Sequence, residues 1–153
     1  DGFDIIHERN TFQMYSKDRV NQIKLMSNIL KKDGILILEE KLMRSNILEY
    51  EEREHLKDNN FKNLYFSKEQ ISTKKSTILN EMAKGMVNFD NLVSAIEDNF
   101  KYAFLLWNSA NFHLIITSNS KDNLEQFINF FEKPYVPRKF SFEQRLPRQI
   151  LGN

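Results

Sequence analysis

The sequence predicts an α/β domain, and three observations carry that prediction. Residues 35–38, Ile-Leu-Ile-Leu, follow the turn pair Asp33-Gly34 and run into Glu39-Glu40-Lys41. An aliphatic run without polar alternation reads as a strand covered on both faces, the habit of parallel sheets. A second short apolar run, residues 3–7, is separated from the first by a stretch of helical periodicity. Strand, helix and strand then make one βαβ unit, whose strands are parallel and whose crossover is right-handed. Two β-rich runs, residues 102–107 and 112–117, flank the polar residues Asn108-Ser109-Ala110-Asn111 and read as an antiparallel hairpin with a four-residue join. In open α/β sheets ligands sit at the carboxyl ends of the strands, so the charges after residue 38 are the first place to look for function.

Bulk properties narrow the class. With 153 residues, 41% hydrophobic and 28% charged, the chain suits one domain with a real core. No apolar run approaches the roughly 20 residues that span a bilayer, and the start lacks a basic-then-apolar signal segment, so a soluble, cytoplasmic protein without a membrane partner is expected. Absence of cysteine excludes disulfides, thiol catalysis and thiolate metal sites. His7, His55 and His113 are too scattered for a metal centre. A net charge of +1 gives no nucleic-acid signal. Thirteen phenylalanines against four glycines mark an aromatic core with few tight turns, and no glycine-rich phosphate loop is present. The chain opens Asp-Gly-Phe-Asp and is in an apolar strand two residues later, which leads us to expect part of a longer protein.

The elements follow in order. Residues 3–7 read as a buried strand ending in Glu8-Arg9-Asn10. Ser16 is a candidate cap for a helix over 17–31, with Val20, Ile23, Met26, Ile29 and Leu30 on its apolar face. Residues 48–59 are rich in charge and read as a solvated helix. Ser67-Lys68-Glu69-Gln70 has the form of a capping box and opens a helix over 68–84, closed by Gly85. Asn88 caps a further helix bearing Leu92, Val93 and Ile96. Residues 122–131 form the last helix. From Lys133 onward Pro134, Pro137 and Pro147 interrupt a basic segment, which reads as an extended arm or linker over 134–153, or else as a tail packed through Tyr135, Phe140 and Phe142.

This order, with the wording of residues 3–6 (Phe-Asp-Ile-Ile) and 30–38 (a leucine, the turn glycine, then the aliphatic strand), resembles the second half of a class I S-adenosylmethionine-dependent methyltransferase. That sheet is Rossmann-like and ends in a reversed hairpin strand, with helices on both faces. Within the superfamily the chain is similar to the carboxy-S-adenosylmethionine synthase-like branch. The carriers are Glu40-Lys41, Phe61-Lys62, Phe66-Ser67, Ile71-Ser72, Lys74-Lys75-Ser76, Trp107 and Asn111-Phe112. The resemblance spans about residues 3–118. It departs at Glu8, where the branch has an asparagine that touches the cofactor, and at Lys75, where it has an arginine that binds the cofactor's extra carboxylate. A lysine offers a point charge and not a bidentate fork.

The resemblance implies S-adenosylmethionine as cofactor, less readily carboxy-S-adenosylmethionine, and a small-molecule or unknown methyl acceptor. It places the glycine-rich loop and the ribose-holding acid upstream of Asp1, so the partner expected at the first strand is the upstream half of the same domain or a second copy. Glu8, Arg9 and Asn10 become candidate cofactor contacts, with a solvated loop as the alternative. Lys75, Trp107 and Asn111 become candidates for substrate or anion binding, against helix-surface and sheet-packing roles. Methyl transfer asks little of side chains beyond alignment and, where needed, removal of a proton, and no catalytic residue is assigned. The other class of function is a noncatalytic interaction module derived from the fold.

Overall fold

The computed structural model describes residues 1–132 and 134–152. Lys133, the expected domain boundary, lies outside the described residues. The protein is α/β, built on a five-stranded mixed sheet of order β1-β2-β4-β3-β5. Strands β1 (Phe3–Arg9) and β2 (Leu30–Lys41) are parallel neighbours, with Ile5 opposite Ile35 and Glu8 opposite Leu38. Helix α1 (Arg19–Ile29) makes the crossover between them. Strand β4 (Phe112–Ser118) lies between β2 and β3 (Tyr102–Ser109) and is antiparallel to both.

Two apolar cores form on the two faces of the sheet. On one face Ile23 of α1 and Leu92, Ala95 and Ile96 of α5 (Phe89–Glu97) pack on Leu36, Leu38, Leu105 and Ile115. On the other, Leu124 of α6 (Lys121–Phe130) packs on Ile35, Leu106, Leu114 and Ile116. Residues 35–38 alternate between the two cores, which is why that stretch tolerates no polar side chain.

The local signals hold at several helix starts. Ser67 and Gln70 close the expected capping box of α3 (Lys68–Lys74), and the Asn88 side chain accepts from Asn91 N–H at 2.8 Å. The helix after the box continues as a π-turn over Lys75–Leu79 and then α4 (Asn80–Gly85). Gly85 is pinned there by space: a Cβ would collide with the Gln13 carbonyl oxygen, so α4 touches the loop after β1 backbone to backbone.

Other expectations are corrected. Asp18, and not Ser16, caps α1, accepting from Asn21 N–H at 3.1 Å. Val20 and Ile29 face solvent, while Arg19, on what looks like the polar side, is 2% exposed. Strand β1 is not buried on both faces: as the sheet edge it exposes Phe3 by 61% and Ile5 by 51%. The charged helix α2 (Ile47–Asn60) is not merely solvated, because it buries Arg53 and Glu54. Asn108 and Ser109 belong to β3, so the hairpin turns through Ala110 and Asn111 alone, with Ala110 at φ 52°. The basic C-terminal segment returns to the domain. Phe140 is buried, and β5 (Arg148–Leu151) pairs antiparallel with β3.

Candidate functional site

The carboxyl ends of β1 and β2 carry two buried charge networks, and strand geometry separates them. Successive side chains of a strand point to opposite faces, so Glu40 and Lys41 leave β2 in opposite directions. Glu40 is gripped by Arg19, whose Nε donates to its two oxygens at 2.9 and 3.0 Å and whose Nη2 donates at 2.8 Å. The same guanidinium donates to the carbonyls of Ser16 at 2.7 Å and Gly85 at 3.1 Å and to Gln22 Oε1 at 2.8 Å. One side chain of α1 thereby ties β2 to α4. Burial raises the Glu40 carboxyl above the ordinary carboxylate range, against the opposing pull of Arg19.

On the other side Lys41, 1% exposed, donates from Nζ to Glu54 Oε2 at 2.9 Å. Lys57 reaches both oxygens of Glu54, at 3.1 and 2.9 Å, and Asn111 Nδ2 donates to Oε1 at 2.9 Å. Burial alone would raise the Glu54 carboxyl, but the two ammonium groups hold it down at about 2. Burial, together with neighbouring Lys57, lowers Lys41 to about 8 against the opposing pull of Glu54, so the amine is still mainly an ammonium near pH 7 with a small neutral fraction. The ring centroids of Tyr50 and Phe112 lie 5.3 and 5.9 Å from Nζ. Glu54 is the only hydrogen-bond acceptor that Lys41 meets among the described residues.

Lys41 also borders a cavity of about 200 Å³ between α2 and the π-turn, lined in addition by Tyr50, Asp58, Lys75, Leu79 and Asn80. This is where Lys75 lies: its helix is exposed, yet its position in the π-turn brings it to the same cavity as Lys41. Both residues stand out in the sequence, but their sharing of one cavity does not, because 34 positions separate them and only the fold brings them together.

The other candidates are placed as follows. Glu8 is 5% exposed and turned into its own loop, where Oε1 accepts from Thr11 N–H and, at 3.0 Å, from Phe12 N–H. Its Oε2 is buried without a hydrogen-bond partner among the described residues. Burial, reinforced by the Glu40 charge, pushes its carboxyl up to about 7. Arg9 is exposed and pairs with Glu39 at 3.2 Å. Asn10 adopts the left-handed conformation, φ 55°, with its N–H donating to the Glu39 carbonyl at 2.8 Å and its Oδ1 accepting from Gln13 Nε2 at 2.9 Å. Asparagine is among the few side chains that accept this conformation. Asn111 is fully buried and donates to Glu54 and, at 3.1 Å, to the Tyr50 carbonyl, while its Oδ1 has no partner among the described residues. Asn111 thus borders the Lys41 network, whereas Trp107 packs on the α6 face and lines a separate cavity. His113 is buried and its imidazole is pushed down to about 4 by burial, so it is neutral near pH 7.

Among the described residues no group of three or more His, Asp or Glu is placed to hold a metal ion, and no helix is long and apolar enough to cross a membrane. No protein-family model and no curated protein matches the chain.

Proposed function

We propose that this chain supplies the C-terminal half of a Rossmann-like domain that transfers a methyl group from S-adenosylmethionine to a small-molecule acceptor. The observation that supports the proposal is the sheet order. A parallel pair is followed by a hairpin whose returning strand, β4, inserts antiparallel beside β2, the reversed finish that the resemblance implies. The residues at the end of β1 fit one wall of a cofactor site: Glu8 has a buried oxygen with no partner, and Asn10 holds a tight left-handed turn next to it. Glu8 and Asn10 would hold the cofactor there by hydrogen bonds, and the cofactor supplies a methyl group already activated by its sulfonium. Lys41, with an amine near 8 at the wall of the second cavity, is suited to take a proton from the acceptor. Carboxy-S-adenosylmethionine is the less favoured donor, since Lys75 lacks the fork that a carboxylate engages best.

The test is calorimetry with S-adenosylmethionine on the full-length gene product and on the 153 residues alone, followed by transfer of labelled methyl to small acceptors. Binding by the longer protein, with weak or no binding by the shorter one, is expected. Micromolar binding by the 153 residues alone shows a site of another design, and no binding by either refutes the proposal. A second reading, a noncatalytic interaction module, is favoured by one observation: among the described residues β1 is an open edge, with Phe3 and Ile5 exposed.

A further inference from the structure

We propose that a preformed cavity between the β3 edge and the C-terminal segment binds a small organic anion, namely a flat ring bearing one phosphate or carboxylate group. The cavity holds about 230 Å³, room for one ring and its anionic group, and is lined by Trp107, Arg138, Ser141, Glu143, Arg145 and Leu146 among others. It exists because β5 stops short. The β3–β5 ladder ends at Leu105 opposite Arg148, so beyond Leu105 the outer edge of β3 is left to the loop that precedes β5.

Buried hydrogen bonds fix both walls. Asn108, 1% exposed, donates through Nδ2 to the carbonyls of Ala110 and Phe112 at 3.0 and 2.9 Å. Its Oδ1 accepts from Phe142 N–H at 2.9 Å, and Ala110 N–H donates to the Phe140 carbonyl at 2.7 Å. The segment that carries both arginines is therefore stitched to the hairpin turn before any ligand arrives, and a preformed site loses less entropy on binding.

The charge balance points to an anion. Arg138 and Arg145 have no carboxylate within ion-pair distance among the described residues. Glu143, the acid of the lining, is already paired with Arg148 at 3.2 Å. Arg145 is held at φ 56°, a conformation that a non-glycine residue adopts only under constraint and that recurs at ligand sites. Guanidinium groups engage phosphate and carboxylate as planar forks, and Trp107, half-buried against the α6 side, is the aromatic residue of the lining against which a ring can pack. Inorganic anions satisfy the arginines and leave the tryptophan unused, which is why the ligand is assigned a ring.

Trp107 is the chain's single tryptophan, so tryptophan fluorescence excited at its red edge reports the surroundings of this one lining residue. Titration of the 153-residue protein with phenyl phosphate, benzoate and inorganic phosphate, at constant ionic strength, is the experiment. A saturable fluorescence change with phenyl phosphate or benzoate is expected, and the tighter of the two identifies the head group. Inorganic phosphate should bind at least about tenfold more weakly, and Arg138→Gln and Arg145→Gln should each weaken the aryl anion by about tenfold, one charge-assisted hydrogen bond apiece. The indole N–H resonance of the unmodified protein, followed by NMR, gives the same titration without any variant. No saturable change in either signal, equal binding of inorganic phosphate, or binding indifferent to both arginines overturns the proposal. None of these outcomes depends on S-adenosylmethionine, so the cavity and the methyl-transfer proposal stand or fall separately.

Discussion

Arg19→Met is the perturbation that most directly tests how the carboxyl end of β2 is held. The guanidinium is 2% exposed and its partner Glu40 is 1% exposed. Removing it deletes the hydrogen bonds to Glu40 and also those to Ser16, Gln22 and Gly85, leaving a buried carboxylate without a counter-charge. Breaking a buried pair from one side costs about 3–5 kcal/mol, a large part of the roughly 5–15 kcal/mol that stabilises a domain. Replacing both partners by apolar side chains avoids the orphaned charge. Arg19→Met/Glu40→Leu should therefore recover about 2 kcal/mol or more relative to Arg19→Met alone, the rest of the loss being the unpaired Ser16 and Gly85 carbonyls. Urea unfolding followed by Trp107 fluorescence measures all four members of the cycle. The pH dependence has a definite sign. Without Arg19 the folded-state pKa of Glu40 rises further above its unfolded value, and a raised carboxyl contributes stability that is present at low pH and lost as pH rises through the folded value. The deficit of Arg19→Met should thus shrink on acidification. A deficit below about 1 kcal/mol at pH 7, or a double variant no more stable than the single, refutes this account of the network.

Three further outcomes are expected. Glu8 titrates near 7 in the folded protein against 4.5 ordinarily, so wild-type stability should fall by about 3 kcal/mol as pH rises from 4.5 through 7, and Glu8→Gln should remove most of that slope in chemical denaturation; an unchanged slope assigns it elsewhere. Gly85→Ala forces a Cβ onto the Gln13 carbonyl and should cost about 1–3 kcal/mol or displace the loop after β1, visible as shifted Glu8 and Gln13 resonances; a neutral effect shows that α4 and the loop give way freely. At the open β1 edge the isolated chain should self-associate in sedimentation, and Ile5→Lys should reduce this without loss of fold, whereas Ile6, packed against the core, does not tolerate the same change; a monomeric wild type counts against an adhesive edge.

The parts of the fold that were legible in the sequence are those fixed by neighbouring residues. Ser67 and Gln70 reach only each other's backbone, and the Asn88 cap reaches Asn91, so spacing alone reveals them. The aliphatic run at 35–38 announces a doubly covered strand because both of its faces must be apolar. What stayed hidden depends on distant partners. Arg53 and Glu54 look like solvated helix residues until Ala110 and Asn111, more than fifty positions away, come to meet them: Arg53 Nη1 donates to the Ala110 carbonyl at 3.0 Å. Asn108 reads as loop because it is polar, yet it is buried as the fastener between hairpin and C-terminal segment. The basic, proline-marked tail reads as a linker because nothing local tells that the outer edge of β3 is open to pair with it.

The alternation of β2 sends its terminal charges into different surroundings. Glu39 pairs through Oε1 with the exposed Arg9, and both oxygens of Glu40 accept from the buried Arg19, which makes Glu40 a structural partner. Lys41 differs. An ammonium group has three donors, and this one spends a single donor on Glu54 while aromatic rings and a cavity occupy its other sides. Its partner is in turn held by Lys57 and Asn111, so Glu54 keeps a buried hydrogen-bonding environment even when Lys41 turns toward a ligand. At the carboxyl end of β2, this lysine has a lowered pKa and a counter-ion with substitutes, the features that suit it to the proton-accepting role proposed above. Lys75, on an exposed helix, meets this network only through placement: the π-turn brings it to the wall of the cavity that Lys41 also borders.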